Sequence, residues 1–280
     1  MSTLGRLATA AEQAAVPPPR SRPPARPGRR LPLLLLPLVA LLAWQAAIWV
    51  FSPRDWLLPS PGDVATVLWE DRERLWFHAQ ATIAESALGF ALAAAIGLAL
   101  AILITRSRIA EHAVYPWLVA SQAIPILAVA PLVAIWLDYG TAQVMVAFVI
   151  AFFPVVVTGV DGLRAVDPAL AQSVRTLGAS RLWTFRRITL PAALPALFSG
   201  LRMAAVFAVT GAVVAEYVGA DRGLGYFSEF STAQFATARS FAAILLLALI
   251  GMAFFGLVGL AERLLLPHRR HPSRPAWRRR

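Results

Sequence analysis

Apolar residues fill this chain in long uninterrupted runs, not in the three-to-four-residue rhythm of a helix with one wet face. The runs 31–51, 87–105, 113–137, 141–160, 195–220 and 241–261 each approach or exceed the ~20 residues a helix needs to cross a bilayer core. All are free of charge except 195–220, which carries Arg202 near one end and Glu216 near the other. The pattern predicts an all-α fold: a polytopic membrane bundle of six transmembrane helices over 31–266. Residues 1–30 form a basic, disordered cytoplasmic tail, and 267–280 a second basic cytoplasmic tail.

The polar segments between the runs set the sidedness. An even number of spans puts both termini on one face, and arginine-rich segments stay in the cytoplasm. The N-terminal tail has Arg6, Arg20, Arg22, Arg26, Arg29 and Arg30 against Glu12, and the chain ends in Arg278, Arg279 and Arg280. Both termini are therefore expected in the cytoplasm. The segment 161–194, with Arg164, Arg175, Arg181, Arg186 and Arg187 against Asp161 and Asp167, falls on the same side. The segment 52–86, where Asp55, Asp63, Glu70, Asp71, Glu73 and Glu85 outweigh Arg54, Arg72 and Arg74, falls outside. The first run is read as an uncleaved span, since it exceeds the ~7–15 apolar residues of a signal peptide.

Composition narrows the chemistry. Of 280 residues, 58% are hydrophobic and 15% charged, with a mean hydropathy of +0.64, against roughly 25% charged in a soluble domain. Every one of the 26 basic residues is arginine, so a P-loop, which needs a lysine to reach the β/γ-phosphates, is excluded. With no cysteine there is no disulfide and no thiol nucleophile. The net charge of +11 sorts to one side of a membrane, which gives no reason to expect nucleic acid. The same arginines suit anionic lipid headgroups.

Within 161–194, Asp167-Pro168 reads as an N-cap followed by proline at the first helical position. Leu170, Val174 and Leu177 then recur at helical spacing. Gly178 frees the backbone to turn, and Ser180 caps a second short helix bearing Leu182, Phe185 and Ile188, which Pro191 ends. By pattern, two hinged amphipathic helices suit the lipid surface and a docking site for a cytoplasmic partner equally.

The segment resembles the signature loop of permease subunits of binding-protein-dependent ABC importers: Glu-Ala-Ala, three residues, Gly, nine residues, Ile, one residue, Leu-Pro. Gly178, Ile188, Leu190 and Pro191 fall on that pattern, and Ala179 and Phe185 match its common variants. Gln172, Ser173 and Val174 stand where the pattern has Glu-Ala-Ala. The resemblance extends to Gly162-Leu163-Arg164, Ser199-Gly200-Leu201-Arg202 and Gly223-Leu224-Gly225-Tyr226, and within the family is greatest to the nitrate, sulfonate, taurine and thiamine-precursor group. It implies a transport subunit, not an enzyme, with no cofactor of its own and ATP on a separate cytoplasmic ATPase subunit. It implies that Gln172, Ser173, Val174, Leu177, Gly178, Ala179, Phe185, Ile188, Leu190 and Pro191 form the element that couples to that ATPase. It further implies a second permease subunit, a homodimer in the simplest case, and an extracytoplasmic solute-binding protein, with this chain in the cytoplasmic membrane of a prokaryote. The solute it implies is hydroxymethylpyrimidine or a related thiamine precursor, with alkanesulfonate, taurine or nitrate next. A stand-alone ion-coupled secondary transporter is the alternative.

An ionisable group in hydrocarbon faces a cavity or a partner. Glu216 therefore lines the solute path or pairs within the bundle. Arg202, near the cytoplasmic end, is expected to snorkel to the interface, or to line the path. Gln122, in a run broken by Pro125 and Pro131, is a third pathway residue, since irregular backbone at membrane depth lines cavities. Trp136, Asp138 and Tyr139 anchor the outer interface. Gly89, Ala93, Gly97 and Ala101 form a small-residue stripe for close helix packing. His78, His112, His268 and His271 are placed outside the spans, without metal-ligand spacing.

Overall fold

The computed structural model describes residues 31–54, 56–138 and 140–266. Both basic tails, with His268 and His271, lie outside the described residues, as do Asp55 and Tyr139. The described residues are helical and contain no strand. The elements are α1 (Leu31–Phe51), α2 (Pro61–Glu70), α3 (Arg72–Arg106), α4 (Arg108–Ser121) and α5 (Ile126–Trp136), followed by α6 (Thr141–Arg164), α7 (Pro168–Thr176), α8 (Arg181–Gly219), α9 (Leu224–Ala233) and α10 (Thr237–Leu265). The chain divides into two units, 1–47 and 48–280. The described part of the first is the apolar start of α1.

Among the described residues, α3, α6, α8 and α10 are long and apolar enough to cross a membrane, and α4 with α5 makes a fifth crossing if counted as one span. Three of the six expected spans change shape. The run 113–137 is two helices bent by 98°, because Pro125 has no N–H to continue α4 and sits as the cap of α5. The run 87–105 is the second half of the 35-residue α3, so residues 72–86, read as an outer connection, are helix. The expected stop at Pro191 does not occur either. A π-turn over Phe185–Thr189 lets the Leu190 N–H reach the Phe185 carbonyl. That local widening makes room for a proline ring at the next position, and α8 continues through Pro191 and Pro195 to Gly219.

The core lies where α3, α6 and α8 cross, and it is built from small residues. Ala93, Ala151, Val155, Ala204 and Ala208 are buried together under Phe90, Phe148, Phe152 and Leu201. Apolar association gains little in lipid, so close backbone approach carries the packing. The stripe Gly89, Ala93, Gly97 and Ala101 is buried as expected: a Cβ on Gly89 would stand 2.6 Å from the Ala147 Cβ, and one on Gly97 2.8 Å from Val155. On α8, a Cβ on Gly211 would meet the Ala147 Cα at 2.6 Å. By contrast α10 presents Leu245, Leu249, Met252, Phe255 and Leu257 outward, as a lipid-facing helix does.

Outside the spans, α2 opens with a capping box. The Ser60 Oγ accepts from the Asp63 N–H at 3.1 Å. The Asp63 Oδ2 accepts from the Ser60 hydroxyl at 2.7 Å and from its N–H at 2.9 Å. These two donors, the hydroxyl foremost, hold the Asp63 carboxyl below the usual carboxylate range. A depressed folded pKa means the contribution is present above the unfolded value near 3.9 and lost as pH falls through the folded one. Ser60→Ala is therefore expected to return the Asp63 titration toward the ordinary carboxylate value and to cost α2 about 1 kcal/mol at neutral pH. Carboxyl NMR of labelled Asp63 and hydrogen exchange along α2 check both; equal exchange in the two proteins at pH 7 would remove the capping role.

Candidate functional site

At the arginine-rich end of the bundle, α7 and the first turn of α8 form a hinged pair. The Asp167 Oδ1 accepts from the Ala169 N–H at 2.8 Å and starts α7, with Pro168 first in the helix. Gly178 takes φ +94°, and a Cβ there would meet nothing within 4 Å. Its conformation, not crowding, is what demands glycine. The Ser180 Oγ then accepts from the Trp183 N–H at 3.2 Å and starts α8.

Of the residues assigned to this loop, Gln172, Ser173, Leu177, Gly178 and Pro191 are exposed, and Val174 and Ala179 half-buried. Leu177 is 87% exposed, and Leu170, Leu182 and Trp183 are also open. Phe185 and Leu190 turn the other way and pack on Leu163, Ala193 and Leu197, with the Arg106 guanidinium 4.2 Å over the Phe185 ring. Ile188 is half-buried. One helix thus presents an apolar outer edge and anchors itself to the bundle with its inner one. Nearby, Arg164 and Glu111 form a 2.7 Å ion pair between α6 and α4. Arg202 does not snorkel freely: its guanidinium is paired with Glu262 of α10 and lies 5.5 Å from the Phe255 ring centroid. A paired charge needs no path to water, and Glu262 lies one residue beyond the predicted end of the last span.

At the opposite end, α3, α8 and the start of α9 meet around Glu216, which is 1% exposed. The Thr82 hydroxyl donates to the Glu216 Oε1 at 2.6 Å, and the Gly225 N–H donates to its Oε2 at 2.5 Å. Thr82 accepts in turn from the Leu224 N–H at 2.9 Å, and the His78 Nδ1 accepts from the Gly223 N–H at 3.2 Å. The orphan N–H groups at the start of α9 are therefore served by side chains of two other helices, in place of a local cap. A Cβ on Gly223 would lie 2.2 Å from the Glu216 carboxyl carbon, and one on Gly225 2.7 Å from its Oε2. The Gly-Leu-Gly-Tyr sequence is what allows the backbone so close. Glu85, 6% exposed, brings a second carboxyl against the first.

Glu216 thus has bundle partners, Arg202 has Glu262, and Gln122 sits exposed at the bend between α4 and α5; the three residues are not brought together. Reading the sequence missed His78, Thr82 and Glu85, placing them in an outer connection and His78 outside the spans. A signal was present. Residues 78, 82, 89, 93, 97 and 101 share one helical face, so the small-residue stripe continues into the polar cluster. Among the described residues no group of histidine and carboxylate side chains is arranged to hold a metal.

Residues 88–266 match the family model described as the binding-protein-dependent transport system inner membrane component. The chain is 38% identical over 229 residues to the formylaminopyrimidine transport permease protein ThiX of Halalkalibacterium halodurans, covering 80% of this chain and 92% of that one. It is 38% identical over 243 residues to the riboflavin transport system permease protein RibX of Chloroflexus aurantiacus, covering 86% and 90%. In fold it is similar to a chain of an amino acid ABC transporter crystallised with histidines, with a TM-score of 0.57 at 18% identity over 70% of this chain and 96% of the other.

Proposed function

This chain belongs to the family of binding-protein-dependent transport system inner membrane components, and from that membership we propose that it carries a thiamine-precursor-type pyrimidine inward across the cytoplasmic membrane. Energy comes from a separate ATPase subunit docked on the hinge of α7 and α8. The observation that carries this reading is the unpartnered apolar edge of Leu170, Leu177 and Leu182 beside a positive-φ glycine. An amphipathic helix set in a groove uses that surface, and a chain with no lysine must take its nucleotide chemistry from a partner.

The arginine-rich ends set the orientation: both tails and the hinge face the cytoplasm, while α2 and α9 face outward. Two copies complete the path, and a solute-binding protein delivers from outside, against the surface around α9. ATP binding on the partner moves α7, and because Phe185 and Leu190 fasten the start of α8 to the core, that motion becomes rigid-body rocking of the bundle. Gln122, at the exposed break, is the path residue in this scheme, while Arg202 and Glu216 act by fastening helices. Relatives named for formylaminopyrimidine and riboflavin transport are 38% identical to this chain, and ones named for aliphatic sulfonates and taurine 33% and 29%, which supports a nitrogen heterocycle ahead of those solutes.

Uptake of labelled 4-amino-5-hydroxymethyl-2-methylpyrimidine into cells is the test. It is expected to collapse on ATP depletion and to survive dissipation of the proton gradient, with the permease co-purifying with an ATP-hydrolysing subunit. Uptake that follows the ion gradient and ignores ATP would identify a secondary transporter instead.

A further inference from the structure

A cavity of about 510 Å³ opens between the outer half of α3 and the start of α6, lined by Phe77, Gln80, Glu85, Leu88, Thr141 and Arg222. Glu85 is the one charged lining residue that is buried, and its Oε2 meets no N–H or hydroxyl donor among the described residues. Its carboxyl lies beside that of Glu216, which already accepts from Thr82 and Gly225. A carboxyl oxygen of Glu85 is thus left as an acceptor that the donors of the bundle do not serve. An N–H group arriving from the cavity can supply the donor that this oxygen lacks.

On the importer reading above, we propose that this cavity is a solute site for an N–H-donating heteroaromatic ring, with Glu85 as the acceptor for its amino or ring N–H. Phe77 supplies an apolar wall for the ring, and Gln80 and Thr141 supply further hydrogen-bonding groups. An alkanesulfonate or nitrate brings acceptor oxygens and no N–H, and sets its charge against a carboxyl. Burying such a group unpaired is costly, which gives the site its discrimination. Arg222 is exposed at the margin, where water screens its attraction for an anion.

The chain has no cysteine, so one placed at Thr141→Cys reports on the cavity alone. In the complete transporter, saturating 4-amino-5-hydroxymethyl-2-methylpyrimidine is expected to slow thiol labelling at that site about tenfold, the change that about 1.4 kcal/mol of binding brings. Ethanesulfonate at the same concentration is expected to leave it unchanged. Glu85→Gln places an amide N–H permanently toward Glu216, preserving the contact; it should remove the protection while keeping the thermal midpoint. Equilibrium dialysis of the labelled pyrimidine against the wild-type and Glu85→Gln transporters gives an independent reading, with affinity lower in the variant. Protection by ethanesulfonate, no protection by the pyrimidine, or equal affinity in the two proteins overturns the site. If uptake remains ATP-driven in that case, the importer reading stands; protection with ATP-insensitive uptake would do the reverse.

Discussion

Glu216→Ala is expected to lower the stability of the bundle by about 3 kcal/mol or more, because it strands two buried donors at once. The Gly225 N–H group and the Thr82 hydroxyl both lose their acceptor, each a loss of about 1–3 kcal/mol when no water replaces it. The space left lies against Gly223 and Gly225, which have no side chain to fill it. A lower thermal midpoint in mild detergent, with new proteolysis between α8 and α9, is the expected outcome. Glu216→Gln should recover part of the loss, since its oxygen still accepts while its NH₂ faces a donor. A midpoint within error of wild type would show that α9 is held by something else.

Gly178→Val is expected to separate function from folding. The φ of +94° is closed to a β-branched residue, so valine must re-aim α7 relative to α8 or pay about 1–3 kcal/mol of local strain. No side chain contacts the position, and the global midpoint should therefore shift little. Uptake should fall by at least about tenfold, the consequence of misplacing a docked helix by a modest energy, with weaker co-purification of the ATPase subunit. Gly178→Asn, which tolerates positive φ better than other residues, should retain more of both. Uptake and association unchanged in Gly178→Val would remove the hinge assignment.

Legibility from sequence followed the range of the forces involved. The hinged loop is readable because its determinants are local: an aspartate cap, a proline at the first helical position, an apolar repeat and a glycine are set within a few residues of one another. The structure keeps the cap, the hinge and the exposed edge. The stop at Pro191 failed because a π-turn absorbs a proline at the cost of one hydrogen-bond shift, an accommodation with no clear trace in composition. The reading of 72–86 as connection, where the structure has helix, failed for a different reason. Charged and polar residues there were counted as solvated, whereas Glu85 and Thr82 are buried by helices that lie more than 130 residues away in the chain, as the 134-residue separation of Thr82 from Glu216 shows.

The chain's sequence by itself determined that it is a helical membrane protein, which end of the bundle is basic, that it has no lysine for a P-loop, and where the hinge glycine lies. These follow from hydropathy run length, arginine placement, a missing residue type and local backbone preference, none of which needs a distant partner. Only the tertiary structure decided that Glu216 serves the N-terminus of α9, that Arg202 belongs to Glu262, and that Glu85 stands between a carboxyl and a cavity. A buried polar group is defined by the neighbours that satisfy it, and those neighbours come together only when α3, α8, α9 and α10 pack.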